Sequence, residues 1–164
     1  AKTVVRITAD CPMIDPGEID RVIENFFEKD CDFLANRLPP PFKRTTPIGM
    51  DTEVCRFEIL EQAWKNASQG FEREHVMPWI YSVEGRARVC VVDAPRQTGH
   101  LRFTVDTPAD YALANKIYAH FAENDRFGLD ELLEANLKHP EWQESLKDVQ
   151  HKSYLDTDQR AALK

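Results

Sequence analysis

The sequence predicts an α/β fold: a mixed sheet between helices, in three layers of the α/β/α type. Three observations carry this. Short β-branched runs alternate along the chain with segments whose apolar residues recur every three or four positions. Two of the helical segments open on a Pro preceded by a capping residue. The length, 164 residues with 42% apolar and 30% charged, suits a single folded domain with a sizeable core.

The elements follow in order. Thr3-Val4-Val5-Arg6-Ile7 reads as a strand buried on both faces. A loop, Thr8 to Ile14, leads to Asp15-Pro16-Gly17-Glu18, where Asp15 is the N-cap, Pro16 the first helical residue and Glu18 the third. The helix then carries Ile19, Val22, Ile23, Phe26 and Phe27 on one face. Asp32 to Ala35 is a second strand. Leu38 to Pro47 is a Pro-rich, locally basic loop holding Lys43 and Arg44, with Arg37 just before it. Asp51 to Phe57 alternates like a strand, and Leu60, Ala63, Trp64 and Ala67 mark a helix ended by Gly70. Phe71 to Ile80 is helical, with Pro78 kinking it or sitting in a first turn. Ala87 to Asp93 and Arg102 to Val105 are strands. Thr107-Pro108-Ala109-Asp110 repeats the helix-start pattern, followed by an apolar face of Ala114, Ile117, Tyr118 and Phe121. Leu129, Leu132, Leu133 and Leu137 give one more helix. A polar end, 141–164, docks elsewhere or frays. The reading is one domain over 1–164, with a core over 1–127 and a helical tail over 128–164.

Charge and cysteines narrow the function. Lys plus Arg is 21 and Asp plus Glu 28, a net charge of −7, which disfavours a general nucleic-acid binder. No apolar run is long enough to span a bilayer and no signal peptide opens the sequence, so no membrane partner is expected. Cys11, Cys31, Cys55 and Cys90 are widely spaced, without a CxxC pair, and read as free thiols of a cytoplasmic protein. The sequence opens at Ala1 almost inside an apolar run, which points to a preceding segment.

In open α/β sheets, ligands bind beyond the carboxyl ends of strands. Asp10 follows the first predicted strand and Asp106 the last. Each precedes a helix already capped by another residue, so neither is needed as a cap. Two such carboxylates could share a hard cation such as Mg²⁺, which favours one or two carboxylates plus substrate phosphates. Either could equally make a local Asx-turn and nothing more. Asp51 and Glu53, two apart on one strand, share a face and would suit a polar pocket. His75, flanked by Glu72, Arg73 and Glu74, could bind a substrate hydroxyl or carboxylate, or sit in a surface ion-pair cluster.

These blocks carry a resemblance. VVRITADCPMIDP is similar to "RITGDCPLIDP". PIGMDTEVCRFEILEQAW is similar to "GLDVEVFSFEALE", EREHVMPWI to "EREHVTPYI", HLRFTVDTPADYAL to "HLRLTVDTPEDFEL", and VQHKSYL to "VKQKSY". The chain resembles the cytidylyltransferases of spore coat polysaccharide biosynthesis, relatives of the CMP-sialic acid and CMP-Kdo synthetases. The resemblance implies a partial nucleotidyltransferase fold of the glycosyltransferase-A-like kind. It implies CTP and a sugar or sugar acid as substrates, a CMP-sugar and pyrophosphate as products, and Mg²⁺ as cofactor. It implies Asp10 and Asp106 as metal ligands. It suggests that Asp51, Glu53, Arg73 and His75, within blocks 49–53 and 72–75, face the sugar.

The departures are specific. Ala9 stands where the family has Gly, and Ala109 where it has an acid. The loop with Pro39-Pro40-Pro41 has diverged. A family segment like "IIQARMGSTRLPGK", which grips the triphosphate, has no counterpart in these residues. The expectation is therefore little or no transferase activity from these residues by themselves, and a sheet edge that favours a homodimer. Two rivals stay open: a non-catalytic module that binds a sugar or a partner, and a glycosyltransferase of related fold. CTP, a nucleotide diphosphate sugar, or neither as the bound nucleotide separates the three.

Overall fold

The computed structural model describes residues 1–122, 124 and 126–149. Among them, β1 (Thr3–Arg6), β2 (Phe33–Ala35), β3 (Glu53–Arg56) and β4 (Val89–Val91) form a mixed sheet in the order β1-β3-β2-β4. β3 is antiparallel to β1 and β2, and β2 is parallel to β4.

Sidedness fixes the register, because a slip of one residue would turn every side chain to the wrong face. Leu34 and Val54 are paired and pack with Val22 and Phe26 of α1 (Pro16–Lys29). Phe33 and Cys55 are paired and pack on the other face, with Ile59 and Ala63 of α2 (Phe57–Asn66) and Trp79 and Ile80 of α4 (Pro78–Tyr81). Helices thus cover both faces, and the three layers expected from the sequence are present.

A third apolar cluster lies beyond the sheet. α5 (Pro108–His120), α6 (Leu129–Lys138) and α7 (Glu141–Glu144) bury Leu113, Ile117, Leu132 and Trp142 against Met13, Met50, Leu101 and Phe103. Each large side chain buried there contributes about 1.5–3 kcal/mol. Met13, Met50, Leu101 and Phe103 come from loops, so the cluster also fixes those loops in place. The 141–149 part of the polar end docks through Trp142 and Leu146. The remainder of that end, with most of the VQHKSYL block, lies outside the described residues.

Asp15 does more than cap α1. Its Oδ1 accepts from the Glu18 amide at 2.9 Å, and its Oδ2 accepts from the Leu129 amide in the first turn of α6 at 2.7 Å. One carboxylate thereby satisfies orphan donors of two helices. A single cap is worth about 1 kcal/mol. We expect Asp15→Ala to cost about 2 kcal/mol in urea denaturation and Asp15→Asn, which keeps one acceptor oxygen, about half of that. Equal losses from the two variants would show that only one of the bonds matters.

Several sequence expectations are corrected. Residues 102–105 are extended but form no sheet strand; only an isolated parallel bridge joins Arg102 to Ile48. The segment divides its backbone bonds between two loops. Phe103 donates to the Ile48 carbonyl and Val105 to that of Asp10, so no continuous ladder forms. The 71–80 helix is two: α3 (Gly70–His75) and α4, broken at Val76 with φ 67°. Pro78 lacks the N–H needed to continue α3 and instead opens α4. Gly70 begins α3 rather than ending α2. Strand 51–57 shortens to Glu53–Arg56, because Phe57 already starts α2.

β1 is an edge strand, not buried on both faces: Val5 is 41% exposed, and Ile7 just beyond it 49%. Phe27, Trp64 and Leu137, assigned to apolar faces, are exposed. Each follows a buried position directly (Phe26, Ala63, Asn136), and a rotation of about 100° turns it outward. The four cysteines are free thiols, as expected. Among the described residues no helix is long and apolar enough to cross a membrane.

Candidate functional site

Three loops meet beside the end of β1: residues 8–13, 44–51 and 98–106. Hydrogen bonds join them. The Asp10 carbonyl accepts from the Val105 amide at 2.8 Å and from the Thr104 hydroxyl at 2.9 Å. The Ile48 amide donates to the Leu101 carbonyl, and the Thr98 amide to the Thr45 carbonyl, both at 2.9 Å. Two glycines permit this closeness. A Cβ on Gly49, whose φ is 101°, would lie 2.7 Å from the Phe103 carbonyl carbon and the Thr104 nitrogen. A Cβ on Gly99 would lie 2.1 Å from the Arg44 carbonyl oxygen.

The carboxylates differ in what holds them. The half-buried Asp10 accepts a long 3.8 Å contact from the Cys11 thiol. Burial pushes that thiol up to about 11; Thr8 and Thr104 pull it down, and the charges of Asp10 and Asp51 push it further up. Cys11 is therefore a neutral thiol at neutral pH, not a nucleophile. It is also the residue around which Asp10, Asp51 and Thr104 gather. Asp51 is gripped by the Arg44 fork, with Nη1–Oδ1 2.6 Å and Nη2–Oδ2 2.9 Å. Glu53 faces Arg6 across the β1–β3 register and accepts from it. Burial raises the Glu53 carboxyl above the ordinary carboxylate range, and Arg6 only partly offsets this.

Asp106 is partly open to solvent, its side chain 42% exposed, with Oδ2 accepting from Arg102 at 2.8 Å. Arg102 is buried and grips the fully buried Asp110 through Nε–Oδ1 at 2.7 Å and Nη2–Oδ2 at 2.8 Å. Burial alone would raise the Asp110 carboxyl. The bonds from Arg102, Thr107 and the Asp106 amide outweigh it and hold the group below its usual value.

The structure thus gathers Asp10, Asp51 and Asp106 on bonded or adjoining loops, with Glu53 two residues from Asp51. Arg73 and His75 lie on α3. Arg73 donates to the Trp64 carbonyl of α2 and lines an apolar cavity of about 430 Å³ with Phe57, Leu60 and Val76. Glu72, in the block expected to face a sugar, is buried and structural: it accepts from the Ser68 and Gln69 amides ahead of α3. A second cavity, of about 440 Å³, is lined by Glu18, Arg21, Thr46, Arg96 and Thr98 among others. Asp10, Asp51 and Asp106 line neither cavity.

Sequence reasoning missed Arg102 and the second role of Asp110, which reads only as a helix cap. The available signal was an Arg between Leu101 and Phe103, in an otherwise apolar stretch with two acids downstream. It also missed Asn36, which is buried and donates to Glu18 and to the Met50 carbonyl while accepting from the Thr52 amide. That network ties α1 to the loop bearing Asp51.

Among the described residues no three His, Cys, Asp or Glu side chains are arranged to hold a metal ion. Asp10 and Asp106 instead bring hard-oxygen carboxylates on loops joined by the bonds of Val105 and Thr104 to the Asp10 carbonyl. That fits a cation whose remaining ligands are waters and substrate phosphates, the habit of Mg²⁺.

Comparison with known proteins agrees with this architecture. The cytidylyltransferase family model matches residues 1–150. An uncharacterized protein of Methanocaldococcus jannaschii is 29% identical over 160 residues, covering 95% of this chain and 62% of its own length. The spore coat polysaccharide biosynthesis protein SpsF of Bacillus subtilis is 25% identical over 141 residues, covering 84% of this chain and 56% of its own. The chain therefore spans about three fifths of the length of these relatives. The structure of a cytidylyltransferase from Leptospira borgpetersenii superposes with a TM-score of 0.77 at 26% identity, over 93% of this chain and 61% of that one.

Proposed function

The chain belongs to the cytidylyltransferase family, and from that membership we propose that it acts in making a CMP-sugar from CTP and a sugar or sugar acid, with release of pyrophosphate, in surface polysaccharide or glycan biosynthesis. The observation that supports this most directly is the bonding of the Asp10 carbonyl to Thr104 and Val105. It joins the loops of two carboxylates that match the family's metal-binding motifs.

The reaction is an in-line attack of a sugar oxygen on the α-phosphate, with pyrophosphate leaving on the opposite side. Asp10 and Asp106 are the residues that would hold Mg²⁺, which supplies charge neutralisation at the phosphates. The chain's own part is to fix these carboxylates, Asp10 through its loop's bonds to Thr104 and Val105 and Asp106 through Arg102. Asp51, locked by Arg44 in the loop, and Glu53, two residues on at the start of β3, are the proposed contacts to sugar hydroxyls. Arg73 and His75 are sugar contacts on the strength of the motif alone.

Calorimetric titration of CTP with Mg²⁺ tests this. We expect metal-dependent binding that weakens at least about tenfold in the Asp10→Asn, Asp106→Asn double variant. Preferential binding of a nucleotide diphosphate sugar would favour a glycosyltransferase. CTP binding indifferent to both Asp residues would remove the proposed site.

A further inference from the structure

We propose that Arg102 is the positioning residue for Asp106, setting its carboxylate for a divalent cation while Asp110 cancels the Arg102 charge. This rests on the reading of Asp106 as a cation ligand. Arg102 is only 6% exposed. Its backbone amide donates to Gln143 Oε1 on α7 at 3.0 Å, which fixes it from behind. Its guanidinium makes a two-point grip on Asp110, whose side chain is 0% exposed. Asp110 Oδ2 is held in turn by the Thr107 amide and hydroxyl, both at 2.9 Å, and by the Asp106 amide at 3.1 Å.

The grip on Asp110 already pairs the buried cation with a buried anion. The extra bond, from Nη2 to the exposed carboxylate of Asp106, adds little stability, as solvated ion pairs generally do. What it does supply is direction. One oxygen, Oδ2, is fixed by a group that cannot itself turn, while Oδ1 has no protein partner among the described residues. The Arg102–Asp110–Asp106 triad carries one net negative charge, and the exposed member is Asp106. An outer partner that fixes a ligand in this way typically matters 10–100-fold in metal affinity.

Mn²⁺ is a suitable probe, its free-ion paramagnetic signal giving the bound fraction directly. Wild type, Asp106→Asn, Arg102→Lys and Asp106→Glu are titrated, with thermal melts in parallel. Lys keeps the charge beside Asp110 but cannot fork to both acids. Glu keeps the carboxylate at 106 but carries it past the reach of Arg102. The expected result is binding by wild type, loss of it in Asp106→Asn, and affinity about tenfold or more weaker in both conservative variants. Wild-type Mn²⁺ affinity in a folded Arg102→Lys protein overturns the proposal. If Arg102→Lys does not fold, wild-type affinity in Asp106→Glu overturns it. Failure of the underlying reading is visible separately: a wild type that binds no Mn²⁺, or an Asp106→Asn variant that binds it normally, defeats both.

Discussion

Replacing Arg102 by Leu is expected to cost about 3–5 kcal/mol of stability, because it strands a buried carboxylate. Asp110 is 1% exposed and would lose both bonds from the guanidinium. For a chain of this size the melting temperature falls by on the order of 10 °C. The pH dependence gives a sharper check. In wild type the Asp110 carboxyl is held below its usual value, so its contribution is present above about pH 4 and is lost as pH falls through the folded value. Without Arg102 the carboxyl loses the largest of the bonds that lower it and moves up from its wild-type position. The variant then gains relative stability as pH falls, since its folded state binds the proton more tightly. The two stability curves should converge in acid and diverge toward neutrality. A deficit that stays constant from pH 4 to pH 7 would mean that Asp110 is not the group left stranded.

Gly49→Ala is expected to cost about 3 kcal/mol or more. Part is backbone: at φ 101° an L-residue is strained by about 1–2 kcal/mol. The remainder is overlap, since the new methyl would sit 2.7–2.8 Å from three backbone atoms of Phe103 and Thr104, which cannot rotate away. Gly85 supplies the control. Its φ is 85° and a Cβ there meets nothing within 4 Å, so Gly85→Ala should cost only about 1 kcal/mol. Urea denaturation of the two variants separates strain from overlap. Equal costs would mean that the 47–50 and 101–104 segments are not held as closely as the structure has them. The larger loss at Gly49 should also disturb Asp106, which lies two residues past Thr104.

The regular parts of this fold were legible where a local rule dominates. Asp15-Pro16 and Thr107-Pro108 mark two helix starts correctly, because capping depends only on neighbours in sequence. β2 was legible from its short apolar run, because it is interior to the sheet and buried along its whole length. Misreadings fall where a distant partner decides. Arg102 to Val105 has the composition of a strand, but its hydrogen-bond partners are the Ile48 and Asp10 loops. Val5 looks like core, but strand order places β1 at an edge, and order is not written in any local pattern. The site shows the same division. Asp10 and Asp106 stand out from spacing because each is an acid no cap requires. Arg44 stands out only as part of a basic loop, not as the partner of Asp51, and Arg102 and Asp110 do not stand out as a pair, since these partners lie 4–8 residues away in loops whose turns no periodicity describes.

The double bond-acceptor role of Asp15 also bears on how the molecule opens. Asp15 and Leu129 are 114 residues apart in sequence, yet the first turns of α1 and α6 both donate to oxygens of that one side chain. Fraying either turn leaves the shared carboxylate half-satisfied, which loosens the other. The two helix starts therefore form a single cooperative opening unit, one that joins the beginning of the chain to its helical end.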